Sequence, residues 1–333
     1  MIPAIRDAPL SFHSTPHGRT RPLVQAAGVA VAFFFIAGTF EAAVIRIVQP
    51  TAMELDWVSD VVLSIALGTA MYLWLHLRAT RLALTERERA QVVMHTQLSL
   101  AEAMQRRLLP PIPSPARGFE WAATLTPAWM IGGDFYDFME AGPNIRLMLL
   151  ADVSGKGISA AMALTLLRST FRNLARDTND PAQLAARMSR AFYDEWHGSP
   201  YVTCVIARIE LSERLLTYAN AGHPPGLLIR RCGGRDLWEG GPPLGLMPTA
   251  DYAEERLRLT AGDVCILMTD GVTESFDDHS VSLGTLVSGI AQQDSRSATR
   301  ICNAIMARAM ASHGPGGVED WTDDRTVVVV TVE

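Results

Sequence analysis

The chain has 333 residues, is 48% hydrophobic and carries a formal net charge of −6. This length allows a large core and more than one domain, and the negative charge without any basic tract excludes nucleic acid as the expected partner. The four cysteines form no Cys-x-x-Cys pair, which indicates a reduced, cytoplasmic domain without a zinc knuckle or a disulfide framework. A mean hydropathy of +0.13 is high for a soluble enzyme and suggests a membrane part.

Two apolar runs near the N-terminus, 23–40 and 61–77, are long enough to cross a bilayer. A helix rises about 1.5 Å per residue, so roughly twenty apolar residues span the hydrocarbon core. Arginines precede the first run and follow the second, which places both chain ends in the cytoplasm. We therefore predict a cytoplasmic tail over 1–22 and a transmembrane hairpin over 23–78, hence a multi-pass protein of the inner (cytoplasmic) membrane. The alternatives are two buried helices of a soluble domain, or a signal peptide for the first run.

A stretch without Gly or Pro follows the second run and stops at Pro110, which predicts a linker helix with a proline exit within 79–113. Apolar residues recur along it at helical spacing. Two interpretations remain open. The helix either packs on its own domain or forms a short two-chain coil that makes the protein a homodimer, and too few heptads are present to decide.

From about Phe119 onward, short β-rich runs alternate with helical ones. The predicted strands are 145–152, 201–211, 215–222, 264–271 and 325–332. The predicted helices are 158–176, 181–196 and 297–310. Strands come in adjacent groups and helices in blocks, so the pattern predicts an α+β layered domain over 119–332.

Aspartates stand at the rims of these strands. They are Asp134 in the stretch MIGGDFYDF, Asp152 before VSGKG, Asp270 before GVTES, and Asp323 and Asp324 before the final strand. A single Asp next to Gly is more often a turn residue than a ligand. Several half-buried carboxylates, however, repel one another unless they share a positive charge.

No matching lysine or arginine accompanies most of these carboxylates, so a hard divalent cation is the expected partner. All-oxygen ligands suit Mg²⁺ or Mn²⁺ rather than zinc. Two such ions would activate a water and polarise a phosphoryl group. The chain has no phosphate-binding loop of the G-x-x-x-x-G-K-[ST] type and no nucleophile elbow. GGDFYD echoes the signature of diguanylate cyclases, but Phe135 and Tyr136 stand where further acidic residues are needed.

Six motifs in order resemble the sporulation stage II protein E-like serine phosphatases, the bacterial branch of the metal-dependent PPM-type protein phosphatases. The motifs are PAWMIGGDFYDF, LADVSGKGISAAM, YANAGHPPGLL, GGPPLGL, AGDVCILMTDGVTES and DDRTVVVV. The resemblance covers roughly 119–332 and implies a four-layer αββα sandwich. It also implies hydrolysis of phosphoserine or phosphothreonine on a protein, with two Mn²⁺ or Mg²⁺ ions.

The same resemblance implies roles for individual residues. Asp152 matches the ligand that bridges the two ions, and the carbonyl of Val153 matches its neighbour. Asp270 and Asp323 match ligands of the second ion, and Asp134 matches the acidic residue of the first motif. Asp152 and Asp270 would thus hold the ions that activate the attacking water.

Other residues are expected to support this site. Asp137 is either a hydrogen-bond acceptor or a contact to a third ion, and Asp324 is a further supporting acid. Gly155 and Gly157 let the chain leave its strand sharply and begin a helix whose amides favour anions. Gly271 provides the turn after Asp270.

Three further positions concern proton transfer and phosphate binding. His223 is either a proton donor or a residue that locks a turn, and Arg325 either lies near the cleft or pairs with an acidic neighbour at the surface. The sequence departs from eukaryotic members at Ser154, where they have a histidine, and it lacks their phosphate-binding arginine before the first motif. The proton donor is therefore unassigned.

The function expected from these residues and this resemblance is a membrane-anchored protein serine/threonine phosphatase with its catalytic domain in the cytoplasm. By resemblance, its substrate and partner would be a phosphorylated anti-sigma-factor antagonist. The alternatives are an inactive pseudophosphatase that binds a phosphoprotein and, less favoured, a nucleotide cyclase.

Overall fold

The computed structural model describes residues 28, 36, 38, 40, 43, 56–129, 131–155, 157–231, 233–276, 283–293, 297–311 and 323–333. The predicted first membrane span, 23–40, lies outside the described residues except at isolated positions, so the two-helix hairpin stays a prediction. The described residues form two compact units, and the second comprises Thr96–Glu333.

One helix, α1 (Asp56–Leu108), contains both the predicted second membrane span and most of the predicted linker. It runs for 53 residues without interruption, where the sequence suggested a span and a separate linker helix. Within it, Val61–Leu108 has an 18-residue window of mean hydropathy 1.4, of which 6% is buried. By length and composition this helix is able to cross a membrane.

Two β-sheets form the centre of the second unit. The first has five strands in the order β1-β11-β10-β6-β7, and the second has six, in the order β2-β3-β4-β5-β8 with β9 also paired to β5. The strands are β1 (Phe119–Thr126), β2 (Asp134–Glu140), β3 (Ile145–Val153), β4 (Val202–Glu210), β5 (Leu215–Ala221), β6 (Gly226–Arg230), β7 (Gly233–Leu237), β8 (Gly240–Gly241), β9 (Glu255–Arg258), β10 (Val264–Met268) and β11 (Arg325–Val332). Apart from the parallel pair β5–β8, the named strands pair antiparallel.

Helices cover the outer face of each sheet. They are α2 (Ile158–Leu174), α3 (Pro181–Trp196), the short α4 (Asp270–Thr273) with a 3₁₀ turn over Glu274–Phe276, α5 (Leu283–Gln293) and α6 (Ala298–Ala311). The start of α3 shows why these boundaries are sharp. Asp180 caps it by accepting a hydrogen bond from the Gln183 amide, and Pro181 occupies its first turn.

Three apolar clusters lie between the layers. The first combines side chains of both sheets, for example Tyr136 and Val330, and therefore fills the space between them. The second joins the six-stranded sheet to α2 and α3, and the third joins the five-stranded sheet to α5 and α6. The described part of the unit is thus layered helix, sheet, sheet, helix, and the predicted α+β class is confirmed.

The strongest periodic segments were predicted to within a few residues, but several short elements were not. Strand β2, which begins at Asp134 within the stretch MIGGDFYDF, was not among the predicted strands. Strands β1 and β6 to β9 and helices α4 and α5 were also missed, because they are short or carry a weak pattern.

Candidate metal centre

The six-stranded sheet contributes two aspartates through its register. Asp134 at the start of β2 is paired with Asp152 near the end of β3. Side chains alternate along a strand, and Tyr136 and Leu150, each two residues away from one of these acids, belong to the core between the sheets. Both carboxylates therefore project from the inner face of the sheet, at the edge where that core ends.

Asp134 is the more deeply buried of the two, with 3% of the residue exposed. Its Oδ2 accepts hydrogen bonds from Thr269 Oγ1 at 2.7 Å and Thr326 Oγ1 at 2.5 Å. Burial raises the pKa of Asp134 well above its usual value, and the charges of Asp152 and Asp324 raise it further, against the lowering effect of the two threonines. Its ionised form would be stabilised by a nearby cation.

The five-stranded sheet contributes Asp270 and Asp323 at the ends of two neighbouring strands. Asp270 follows β10 and accepts a hydrogen bond from the Gly271 amide at 2.7 Å. A Cβ on Gly271 would collide with the carbonyl oxygen of Asp324 and lie 3.3 Å from that of Asp323. The two chain segments therefore touch, and a residue without a side chain is required between them.

Asp324 joins the two sheets. Its Oδ1 accepts from the Ala128 amide at 2.8 Å, and its Oδ2 accepts from the amides of Gly133 at 2.5 Å and Asp134 at 3.3 Å. A carboxylate with three backbone donors is a structural anchor. The predicted supporting acid thus fixes the segment before β2, and the chain neighbours of Asp270 and Asp323, namely Thr269 and Asp324, both contact Asp134.

The two glycines before Asp134 permit this close packing. A Cβ on Gly132 would collide with the Asp324 carboxylate, and one on Gly133 would lie 2.8 Å from the Val153 carbonyl oxygen and 3.0 Å from Asp152 Oδ1. The Val153 amide donates to the Gly133 carbonyl at 3.1 Å. Val153, the predicted carbonyl ligand, therefore lies at the same edge as Asp152.

Gln105 of α1 holds the same segment from the other side. Its Nε2 donates to the Gly132 carbonyl at 2.8 Å, and its Oε1 accepts from the Gly132 amide at 3.2 Å. In sequence, Gln105 is one position of the mostly apolar stripe of the predicted linker helix. Its place before the proline exit gave no signal of this contact.

Asp137 is buried away from the acidic edge and has a cationic partner. Arg172 of α2 donates from Nε and Nη2 to its two oxygens, each at 2.7 Å, and the Phe138 amide donates at 2.9 Å. Of the two roles predicted for Asp137, the structure displays the hydrogen-bond acceptor. The pair ties α2 to the strand that begins with Asp134.

Gly155 and Gly157 lie between β3 and α2 with φ of 106° and 80°, in the left-handed region that favours glycine. Gly157 is the N-cap of α2 and, as glycine, provides no side-chain cap, so the helix begins directly at this turn. Ser154, which stands where eukaryotic members have a histidine, accepts from the Tyr201 amide at 2.8 Å and thus serves the turn.

His223 is buried in the turn after β5. Its backbone amide donates to Asn220 Oδ1 at 2.8 Å, its carbonyl accepts from Asn220 Nδ2 at 2.9 Å, and its Nδ1 lies 3.2 Å from Thr203 Oγ1. Burial lowers the pKa of His223 to about 3, so the ring is neutral at physiological pH. These contacts are those of a residue that locks a turn. Thr203 is the register partner of Asp152, so the turn reaches the same sheet edge.

Arg325 is 2% exposed and donates to the Gly271 carbonyl at 3.2 Å, and its burial lowers the pKa of the guanidinium. It is therefore a buried neighbour of the Asp270 turn and not a surface residue. Its position again links β11 to the chain after β10.

Asp134, Asp152, Asp270 and Asp323 are thus brought to one edge of the two-sheet core. Asp134 and Asp152 come from the six-stranded sheet, and Asp270 and Asp323 come from the ends of strands in the five-stranded sheet. Among the described residues, no group of three or more His, Cys, Asp or Glu side chains is placed to hold a metal ion as it stands. The donor chemistry nevertheless fits a hard divalent cation, because every candidate ligand is an oxygen and Asp134 lies in the repulsive field of Asp152 and Asp324.

This fold, two sheets with helices outside and acids at one edge, is that of the PP2C-type phosphatases. The chain matches the SiaA-PP2C domain of Pseudomonas aeruginosa with a TM-score of 0.61 and 19% identity, over 73% of this chain and 99% of that one. It also matches RsbX in complex with magnesium with a TM-score of 0.51 and 16% identity, over 66% and 98% of the two chains. At these identities the likeness establishes the fold.

The family follows from the sequence match. Residues 145–333 match the stage II sporulation protein E (SpoIIE) model, and the chain belongs to this family. The predicted resemblance is therefore confirmed. Phosphoserine phosphatase RsbU of Bacillus subtilis (strain 168) is 28% identical over 186 residues, which are 55% of each chain. The chain thus spans about half the length of this curated relative.

Proposed function

We propose that the protein is a metal-dependent protein serine/threonine phosphatase. The observation that carries this proposal is the convergence of Asp134, Asp152, Asp270 and Asp323 on one edge of a PP2C-type fold. Membership of the SpoIIE family and the likeness to a phosphoserine phosphatase over 186 residues support the same reaction.

Two divalent ions, Mn²⁺ or Mg²⁺, would be held at this edge. Asp152 would bridge them with the Val153 carbonyl beside it, Asp270 and Asp323 would serve the second ion, and Asp134 would serve the first. The magnesium bound by the structurally similar RsbX supports this class of cofactor. When bound, such ions lower the pKa of a water and polarise a phosphoryl group.

The chain's own residues supply orientation. Thr269 and Thr326 fix the Asp134 carboxylate, and Asp324 and Gln105 fix the segment before it. Hydrolysis adds water across the phosphorus–oxygen bond of phosphoserine and gives a serine hydroxyl and inorganic phosphate. The seryl oxygen takes up one proton, and His223 does not supply it in our proposal because its ring is buried and neutral.

The cellular setting is also proposed. The apolar part of α1 and the predicted span over 23–40 would anchor the protein in the inner membrane as a two-span hairpin, with the phosphatase unit in the cytoplasm. The substrate would be a phosphorylated anti-sigma-factor antagonist, in line with the resemblance to RsbU-type phosphatases. The linker part of α1 would join two copies in a homodimer.

A second candidate is a pseudophosphatase that binds a phosphoprotein without hydrolysing it. The observation in its favour is that the described acidic residues form no group of three poised for a metal ion. Retention of all four predicted ligand positions favours the active enzyme.

Phosphate release by the full chain separates the two functions. With phosphocasein as the probe, we expect release in the presence of Mn²⁺, none in EDTA, and none from the Asp152→Ala variant. Asp194→Asn, a change at an exposed acid of α3 that pairs with Arg190, is the matched control and should keep full activity. Phosphocasein binding without manganese-dependent release would support the pseudophosphatase.

A further inference from the structure

Trp129 is a large apolar side chain left in solvent beside the acidic edge. It lies in the connection between β1 and β2, and 66% of the residue is exposed. The preceding strand ends at Thr126, which pairs with Arg325 at the start of β11. Trp129 therefore leaves the five-stranded sheet at the same end as Asp323 and Asp324.

The described backbone near this exposed indole is held at Ala128 on one side and at Ile131 and Gly132 on the other. The Ala128 amide donates to Asp324 Oδ1 at 2.8 Å. Ile131 is buried, and Gly132 is bonded through both its amide and its carbonyl to Gln105. An aromatic side chain on a fixed backbone loses little conformational freedom when a partner covers it.

The chemistry of the segment points to an apolar contact. Residues 127–133 read PAWMIGG and contain no Arg, Lys or His, so this rim has no side chain able to grip a phosphate. Tryptophan is among the residues that most often carry binding energy in protein–protein contacts. A polypeptide that brings a phosphoserine to the acidic edge would pass this indole.

We infer that Trp129 is a substrate-positioning residue that packs against the polypeptide next to the phosphoserine. This inference rests on the proposed phosphatase function and adds to it the part of the enzyme that recognises protein. In this role the indole contacts the polypeptide and not the phosphate, so it sets the affinity for protein substrates and leaves the turnover of a small phosphate ester unchanged.

The test compares two probes on the full chain with Mn²⁺: phosphocasein, and O-phosphoserine, which has no polypeptide. Trp129→Ala should raise KM for phosphocasein about 5–10-fold at unchanged kcat, since it removes binding common to ground and transition states. Its kcat/KM for O-phosphoserine should stay as in the wild type. Trp129→Phe keeps an aromatic ring and should restore most of the affinity for phosphocasein.

Trp238 provides a matched control. It is 65% exposed and follows β7, the edge strand opposite β1 in the five-stranded sheet. Four strand spacings of about 4.8 Å separate these edges by roughly 19 Å. Trp238→Ala should therefore leave both KM values unchanged.

The outcomes are distinct. No manganese-dependent release from either probe by the wild type would refute the proposed function itself. With an active wild type, three results would overturn the role of Trp129. They are an unchanged KM for phosphocasein in Trp129→Ala, an equal rise of that KM in Trp238→Ala, and phosphate release from O-phosphoserine alone. A parallel loss on both probes would also overturn it, because it would show damage to the acidic edge.

Discussion

The two sheets hold their candidate metal ligands in different ways. In the six-stranded sheet, Asp134 and Asp152 lie within paired strands, and their positions follow from the ladder that joins β2 to β3. In the five-stranded sheet, Asp270 lies just beyond β10 and Asp323 just before β11, outside the paired strands, and each carboxylate accepts from the amide of the next residue. One half of the edge is set by strand register and the other by local backbone packing.

The two halves of this edge contribute different physical properties to the candidate site. The register-fixed half concentrates negative charge in a buried place, as the raised pKa of Asp134 indicates. The turn-fixed half depends on the close contact between Gly271 and the backbone of Asp323 and Asp324.

The largest effect should come from the turn-fixed half. Asp270→Asn removes charge but little volume, so we expect at least a 10³-fold loss of manganese-dependent phosphate release, consistent with several kcal/mol of electrostatic stabilisation. Circular dichroism should stay unchanged. Turnover at the wild-type level in this variant would contradict the assignment of Asp270 as a ligand.

Gly271→Ala tests the packing that fixes this half. The added Cβ meets the Asp324 carbonyl oxygen, a backbone atom that cannot move aside, so we expect a loss of about 1–3 kcal/mol in the free energy of unfolding. Gly234→Ala in β7 is the control, because its nearest neighbour would be 3.6 Å away. Equal stability of the two variants in denaturant titration would show that Gly271 is not tightly packed.

The pH dependence of stability tests the turn at His223, which contacts Thr203, the register partner of Asp152. The folded ring has a pKa of about 3 against 6.5 for the ordinary side chain, so between these values the unfolded chain binds more protons. The free energy of unfolding should therefore fall as the pH drops from about 6.5 towards 3, by at most about 1.4 kcal/mol per pH unit.

Thermal unfolding of variants isolates this contribution. His223→Gln should lose the pH-dependent part, although it is less stable at neutral pH, whereas a change at the exposed His95 to Gln should keep it. A pH profile of His223→Gln that runs parallel to that of the wild type would exclude this histidine as the source.

The smallest effect should come from the contact between α1 and the segment before Asp134. Gln105→Ala removes two hydrogen bonds to Gly132, each worth about 0.5–1.5 kcal/mol, and should weaken manganese binding up to about 10-fold. Gln97→Ala on an exposed face of the same helix is the control. Equal Mn²⁺ affinities of Gln105→Ala and Gln97→Ala in calorimetric titration would show that the contact with α1 does not affect metal binding.

The sequence located the acidic positions well because strand ends and Asp–Gly junctions leave a clear local pattern. It predicted β11 over the residues that the structure assigns to it, and α3 likewise. Contacts between distant segments left no such pattern. The bonds from Thr269 and Thr326 to Asp134, and from Gln105 to Gly132, depend on how sheets and helix pack together.

Asp137 is another residue whose contact with a distant segment was not visible in the sequence. In sequence it is a second acid three residues after Asp134, and nothing nearby reveals its partner. The ion pair with Arg172 joins residues 35 positions apart. A short acidic motif can thus combine one residue of the acidic edge with one that braces a helix.

Asp323 and Asp324 are consecutive, yet Asp323 accepts from the Asp324 amide at 3.1 Å and is the proposed ion ligand, whereas Asp324 fixes the backbone from Ala128 to Asp134. In an extended chain, shifting the pairing by one residue turns every side chain to the opposite face. A single-residue insertion or deletion at the start of β11 would therefore exchange the positions of the anchoring carboxylate and the proposed ion ligand. The alignment of the last strand therefore determines the proposed site as much as the presence of the two acids does.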